Sequence, residues 1–418
     1  MYIRREIENT ILRVSKSFPC IAVYGPRQVG KSTTVDYLFG EKYGSVTLDD
    51  LNDRTLAKEN PRLFLETYGC PLIIDEIQKA PMLLDEIKIV IDNKRKEWLK
   101  KGEKPQLLYV LTGSNRFELQ QGISDSLAGR CGIIDMASLS EREKYSEESN
   151  LFTPDISTLL EREKGSSVKA RTRKVIFEDI FTGGMPDVVT GNAERDIYYK
   201  SYVNTYIEKD VKSLIAAKNE TTFRNFMSLV ALRTSRELHY EELSSSVGID
   251  VRTCKDWITI LETAGIVYFL QPFMANLSSR IIKAPKLYFM DTGLCAYLCK
   301  WPDAEMLSNS AMSGEFFETF VVSEIVKNLY SFDVDPKEHM FYYRDKDQKE
   351  IDLIYTERDK VYPIEIKAGI APQNPTKNFS CLNKYKLNVQ PGLVIDSSSR
   401  IRAINEEAYC YPVSKIGI

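Results

Sequence analysis

The sequence predicts an α/β protein: a parallel sheet with helical crossovers, then a helix-rich middle, then a mixed α+β segment. Three observations predict it. Short, almost wholly apolar runs alternate with helical patterns through the first third, as strands buried on both faces do. One such run ends in a glycine-rich loop that opens a helix, and a later run ends in two acids. Beyond about Phe223 the pattern turns to two short helices around Gly248-Ile249-Asp250, and then to strands carrying spaced carboxylates.

In chain order, Ile21-Ala22-Val23-Tyr24 is the first strand and Lys31 to Phe39 the helix after it. Ser45-Val46-Thr47-Leu48 is the second strand, and Leu72-Ile73-Ile74 the third, leading into Asp75-Glu76. Leu107 to Leu111 is the fourth, followed by Thr112-Gly113-Ser114-Asn115, and Ile133-Ile134 the fifth. From about Ser138 to Ser167 the chain is polar and reads as helices with exposed loops. Gly183-Gly184-Met185-Pro186 breaks the chain before a helix from about Tyr198 to Ala217. Glu241 to Val247 and Val251 to Ala264 form a helix-turn-helix pattern, with Gly265 to Leu270 as a wing-like strand. Glu350 to Ile354 and Tyr362 to Lys367 are strands of the last segment. The expected modules are a sheet core at 1–137, a helical lid or connector at 138–220, a winged-helix-like module at 221–300 and an α+β domain at 301–418.

Composition narrows the chemistry. The 418 residues exceed one ordinary domain, and 43% hydrophobic content excludes wholesale disorder. A net charge of −3 excludes coating nucleic acid by bulk charge, though not a local basic face. With only His239 and His339, one copy cannot build a multi-histidine metal site, and Ser-His-Asp chemistry is disfavoured. No run of about 18 apolar residues is present, and the charged start from Met1 to Glu8 lacks a signal-peptide core. The eight scattered cysteines read as free thiols of a reducing cytoplasm, with no membrane partner.

Gly25-Pro26-Arg27-Gln28-Val29-Gly30-Lys31-Ser32, with Thr33 after it, fits a P-loop. Its glycines let backbone N–H groups curl round an anion, and the following helix turns its positive end to it. ATP is the expected ligand, with Lys31 on the β- and γ-phosphates and Ser32 on Mg²⁺. Asp75 is expected to hold the same Mg²⁺ through water, and Glu76 to polarise the attacking water. The strand order suits a P-loop NTPase sheet of the additional-strand class, in which Ser114 or Asn115 senses the γ-phosphate. Arg130 is placed to stabilise phosphate charge in a neighbour's site, which requires a homo-oligomer or a closing partner.

These motifs, with Ile74-Asp75-Glu76-Ile77-Gln78, Leu111-Thr112-Gly113-Ser114 and Ser126-Leu127-Ala128-Gly129-Arg130, resemble the AAA-type ATPases of bacteria and archaea that carry a C-terminal domain of unknown function. Gly183-Gly184-Met185-Pro186, Tyr206 to Asp210, Asp291-Thr292-Gly293-Leu294 and Gly314-Glu315-Phe316-Phe317-Glu318 extend the likeness over nearly the whole chain. The resemblance implies an ATPase core, a winged-helix module and a nuclease-like C-terminal fold.

In the helix-turn-helix pattern, Arg252, Thr253 and Lys255 open the second helix, where DNA contacts arise, but Asp250 and Asp256 thin the basic surface. In the last segment Asp352, Glu365 and Lys367, with Glu318 on a preceding helix, resemble the PD-(D/E)xK nuclease pattern of a restriction-endonuclease-like domain. There Glu318, Asp352 and Glu365 are a possible second metal site and Lys367 a positioning cation. The reading that follows is an ATP-hydrolysing protein coupling nucleotide state to a DNA- or protein-binding C-terminal half. An ATP-gated Mg²⁺-dependent nuclease and a non-catalytic nucleotide switch that scaffolds partner proteins stay open as alternatives.

Overall fold

In the computed structural model, residues 2–114, 123, 125–206, 220–273, 284–369 and 374–418 are described. Asn115 lies outside them, as do residues 207–210 of the Tyr206 to Asp210 motif and the rest of the helix expected as far as Ala217.

The apolar runs of the first third become five parallel strands: β1 (Cys20–Tyr24), β2 (Gly44–Thr47), β3 (Leu72–Asp75), β4 (Tyr109–Gly113) and β5 (Cys131–Asp135). Their order is β2-β3-β4-β1-β5. Every residue of β1 and β4 is buried, because helices cover both faces of the sheet. The flanking helices are α1 (Glu8–Ser15), α2 (Lys31–Phe39), α3 (Leu51–Glu59), α4 (Pro61–Tyr68) and α5 (Leu83–Lys101). With β4 inserted between the P-loop strand and the acidic strand, the sheet has the P-loop NTPase topology, and the chain is α/β overall. β4 begins two residues later than the apolar run suggested. The Leu108 and Tyr109 amides both donate to the Pro19 carbonyl, so pairing with β1 starts at Tyr109 opposite Cys20 and draws Thr112 and Gly113 into the sheet.

The polar stretch after β5 departs from the exposed loops expected of it. Ser138, Ser140, Glu141, Arg142 and Glu143 are all buried. Charge pairing makes this possible: Arg5 reaches Glu143 at 2.9 Å and Arg171 reaches Glu141 at 3.1 Å. The Glu141 amide donates to Glu324, which Lys327 neutralises at 2.8 Å. A buried charge is tolerated when paired and hydrogen-bonded, and these partners come from parts of the chain far away in sequence.

The second half is organised by a ten-stranded sheet. It comprises β6 (Arg236–Glu237), β7 (Val267–Pro272), β8 (Lys286–Phe289), β9 (Met340–Arg344), β10 (Glu350–Glu357), β11 (Lys360–Ile366), β12 (Asn388–Val389), β13 (Gly392–Asp396), β14 (Arg402–Asn405) and β15 (Ala408–Pro412). The helices Tyr240–Val247 and Val251–Thr263 stand where the helix-turn-helix pattern put them, with Asp250 capping the second by accepting from the Thr253 amide. Trp257 packs edge-on against Phe223 and Phe226 of the helix Glu220–Ala231. β7 pairs antiparallel with β8 and parallel with β9, so the helix-turn-helix unit and the C-terminal half share one sheet. Among the described residues no helix is long and apolar enough to cross a membrane.

Glu6 tests the buried cluster. Burial, reinforced by the neighbouring Glu143 carboxylate, pushes its carboxyl up to about 8. The unfolded chain ionises there near the ordinary value of about 4.3. The folded state therefore holds the extra proton, and its advantage is full at acid pH and declines as pH rises through this window. Glu6→Gln cannot ionise. Its melting temperature should match wild type near pH 4 or below, and the gap in its favour should widen steadily to several degrees by pH 8.5. Parallel thermal melts measure this, and a gap that does not widen with pH would refute the account.

Candidate functional site

The P-loop joins the end of β1 to α2, at the carboxyl edge of the sheet where ligands of such folds sit. Gly30 has φ 94° and Gln28 φ 61°, the left-handed turns that fold the loop back on itself. A Cβ on Gly25 would overlap the Met136 carbonyl oxygen. Lys31 Nζ donates to the carbonyls of Gly25 at 2.9 Å and Pro26 at 2.7 Å, so its ammonium is held inside the loop. Ser32 Oγ donates to Asp75 Oδ1 at 2.8 Å, and Thr112 also donates to Asp75. Arg27, Gln28, Gly30, Lys31, Ser32, Thr33 and Glu76 border an open cleft of about 350 Å³, which Pro186, Asp187, Tyr202 and Thr205 also line. The residues fit a nucleotide's phosphate chain with its Mg²⁺: backbone donors at a helix start, a lysine, and a hydroxyl–carboxylate pair.

Glu76 follows β3 in a left-handed conformation, φ 56° and ψ 44°. This is uncommon for a residue with a Cβ, and such strain gathers at functional sites. Its carboxylate accepts from Gln78 Nε2 and from Ser114 Oγ, the latter at 3.2 Å, and Gln78 also donates to Ser114 at 3.2 Å. The structure thus brings Ser114 to Glu76. Gln78 completes this triangle, and nothing in its spacing announced it. Arg130 lies elsewhere: its Nε and Nη2 grip Asp92 of α5 at 2.7 and 3.0 Å, and Nη1 donates to Ala128.

Arg5 is a second residue that pattern reading missed. It donates to the Val29 carbonyl of the P-loop at 2.7 Å, to the Ala137 carbonyl at 2.8 Å and to Glu143 at 2.9 Å. Only its position before α1 precedes the contact in sequence, and no local motif marks it. Two distant motifs also meet. The Gly184 amide and the Tyr199 hydroxyl both donate to Asp291, each at 2.8 Å, which anchors the segment bearing Pro186. Behind the P-loop, Gly265 at φ 70° turns against Pro26, where a Cβ would come 3.0 Å from the proline ring.

The four C-terminal residues also converge. Lys367 reaches Glu365 at 2.7 Å and Asp352 at 3.3 Å, and Asp352 and Glu318 both act electrostatically on Glu365. Burial, then Asp352, push Glu365 up to about 7. Among the described residues, no three His, Cys, Asp or Glu side chains gather closely enough to hold a metal ion.

Residues 17–145 match the family model described as AAA domain. This stretch is thus similar to AAA domains, in keeping with its P-loop sheet. Residues 173–305 and 313–416 match two further models, Domain of unknown function (DUF8612) and Domain of unknown function (DUF4143). The uncharacterized proteins Rv2008c of Mycobacterium tuberculosis and Mb2031c of Mycobacterium bovis are each 25% identical over 374 residues, 88% of this chain and 75% of theirs. Among solved structures, the Walker-type ATPase paby2304 of Pyrococcus abyssi aligns at 13% identity and TM-score 0.41, over 71% of this chain and 96% of that one.

Arg5→Ala removes the brace from the P-loop and leaves Glu143 short of its counter-charge. The expected cost is about 3–5 kcal/mol, seen as a lower melting temperature together with weaker binding of a fluorescent ATP analogue. Arg5→Lys should recover only part of both, since an ammonium cannot span the three acceptors. Unchanged melting in Arg5→Ala would show that the brace is dispensable.

Proposed function

We propose that the chain binds and hydrolyses ATP at the P-loop and relays the nucleotide state to a C-terminal half that engages DNA or a partner protein. The observation that carries this reading is the juxtaposition of Lys31, the Ser32–Asp75 pair and Glu76 around one cleft. Lys31 exchanges the Gly25 and Pro26 carbonyls for the β- and γ-phosphates. Ser32 and Asp75 would hold Mg²⁺, which neutralises charge on the phosphate oxygens. Glu76 orients the attacking water. Ser114, bonded to Glu76 here, would turn to the γ-phosphate when nucleotide binds and leave Glu76 to the water. Asn115 is a further candidate sensor. Arg130 acts on a neighbouring copy only after leaving Asp92, so that role belongs to an oligomer.

Two contacts support a relay. Pro26 backs onto Gly265 just past the Val251–Thr263 helix, and Pro186 borders the P-loop cleft while its segment is tied to Asp291. Arg252 and Lys255 are exposed on that helix and can meet phosphates, whereas the Thr253 hydroxyl is bonded to Asp250 at 2.6 Å. A second reading, an ATP-gated nuclease, is favoured by the meeting of Asp352, Glu365 and Lys367.

Glu76→Gln should keep ATP binding and lower phosphate release by about 10²-fold or more, while Lys31→Ala should lose binding. Radiolabelled ATP retention and phosphate assays read the two steps separately. Wild-type protein that binds ATP without turnover, with and without DNA, would favour the non-catalytic switch. For the second reading, Asp352→Ala should abolish nicking of plasmid DNA with ATPase activity intact. Nicking that persists in the variant sinks it.

A further inference from the structure

The C-terminal carboxylate cluster already contains a cation, and that cation is a side chain. Lys286 opens β8 and is 3% exposed. Its Nζ lies 3.0 Å from Glu318 Oε1 and 2.5 Å from Glu350 Oε1. Those carboxylates come from the helix Ser313–Ser331 and from β10, and the ammonium stands between them. Tyr288 donates to the same Glu318 oxygen at 2.6 Å, and Ser235 donates to the other at 3.2 Å. Asp352 accepts from the Ile366 amide at 2.8 Å and shares Lys367 with Glu365.

One acceptor is left over. Glu365 is 8% exposed, and its Oε2 is buried without a hydrogen-bond partner. Lys286 makes ion pairs with carboxylates from two different elements at once. A Mg²⁺ ion needs oxygen ligands at about 2.0–2.1 Å in a near-octahedral shell. Carboxylates already drawn onto lysines do not supply that shell, in keeping with the lack of a metal-holding group among the described residues.

The geometry points to Lys286 as the resident cation of this site: its ammonium takes the place of a divalent ion, and the site admits Mg²⁺ or Mn²⁺ only when Lys286 is withdrawn. The inference rests on one part of the second reading above, that Glu318, Asp352 and Glu365 form one site, and it does not depend on ATP turnover at Lys31. It turns a pattern associated with metal into one that is self-neutralised, and it makes a lysine outside the pattern the residue that decides occupancy.

The test titrates Mn²⁺ into the nucleotide-free chain, followed by calorimetry and by melting temperature, with Asp352→Ala as the control for the site. Wild type and Asp352→Ala should behave alike. Lys286→Met should gain one Mn²⁺ per chain, bound at least about tenfold tighter than by wild type, roughly 1.4 kcal/mol. The gain should vanish in Lys286→Met/Asp352→Ala. If wild type binds Mn²⁺ through Asp352 as tightly as Lys286→Met does, the role of Lys286 is overturned while the metal site stands. If folded Lys286→Met gains nothing, both the inference and the metal-site reading fall. Should Lys286→Met not fold, Lys286→Met/Glu350→Gln removes the opposing charge, keeps the three carboxylates, and is judged by the same outcomes.

Discussion

A buried guanidinium must find acceptors for its N–H groups or the fold loses several kcal/mol. Arg5 finds them in three places at once: the Val29 carbonyl in the P-loop, the Ala137 carbonyl just past β5, and the Glu143 carboxylate. The segment before α1, the phosphate loop and the buried ionic cluster are thereby joined at one side chain. Glu143 also accepts the Glu6 and Ser140 amides, so its charge is saturated from three directions. The P-loop conformation seen with Lys31 folded onto Gly25 and Pro26 depends on this support, because a loop with glycines at both ends has little stiffness of its own.

From that joint, contact spreads into the second half of the chain. Glu141 and Glu324 bind the stretch after β5 to the helix Ser313–Ser331, and Asp291 holds the segment that borders the P-loop cleft. The same helix carries Glu318, which Lys286 and Tyr288 engage from β8. The P-loop cleft and the carboxylate cluster therefore belong to one packed and ion-paired body.

What could be read in the sequence was what is local. Gly25 to Ser32 and Asp75-Glu76 carry their chemistry in adjacent residues, and their strands and helix stand within two residues of the expected places. The helix-turn-helix pattern was equally legible, because Asp250 caps the helix that follows it directly. The buried polar stretch was not, since Glu141 and Glu143 look like solvent-facing charges until Arg171 and Arg5 are brought in by the fold. Lys286 was hidden for the same reason: Ala284-Pro285-Lys286-Leu287 reads as an ordinary strand entry, and its partners Glu318 and Glu350 arrive from two other elements. Gln78 stands within the Ile74 to Gln78 motif, but its grip on Glu76 depends on the left-handed turn at Glu76, which no residue type there announces.

The parallel pairing of β7 with β9 shapes how this chain can move and how it can be divided. A cut between Met290 and Met340 would leave strand edges with unpaired N–H and C=O groups, an invitation to aggregation. Swinging one half against the other meets the same barrier, since a hinge there must break ladder bonds such as that from the Phe273 amide to Tyr342. Twisting costs far less, because sheets tolerate a range of strand-to-strand angles. The pairing of β7 with β9 therefore favours twist over hinging between the helix-turn-helix unit and the C-terminal strands, so that the sheet joins them as a torsion bar rather than a flexible tether.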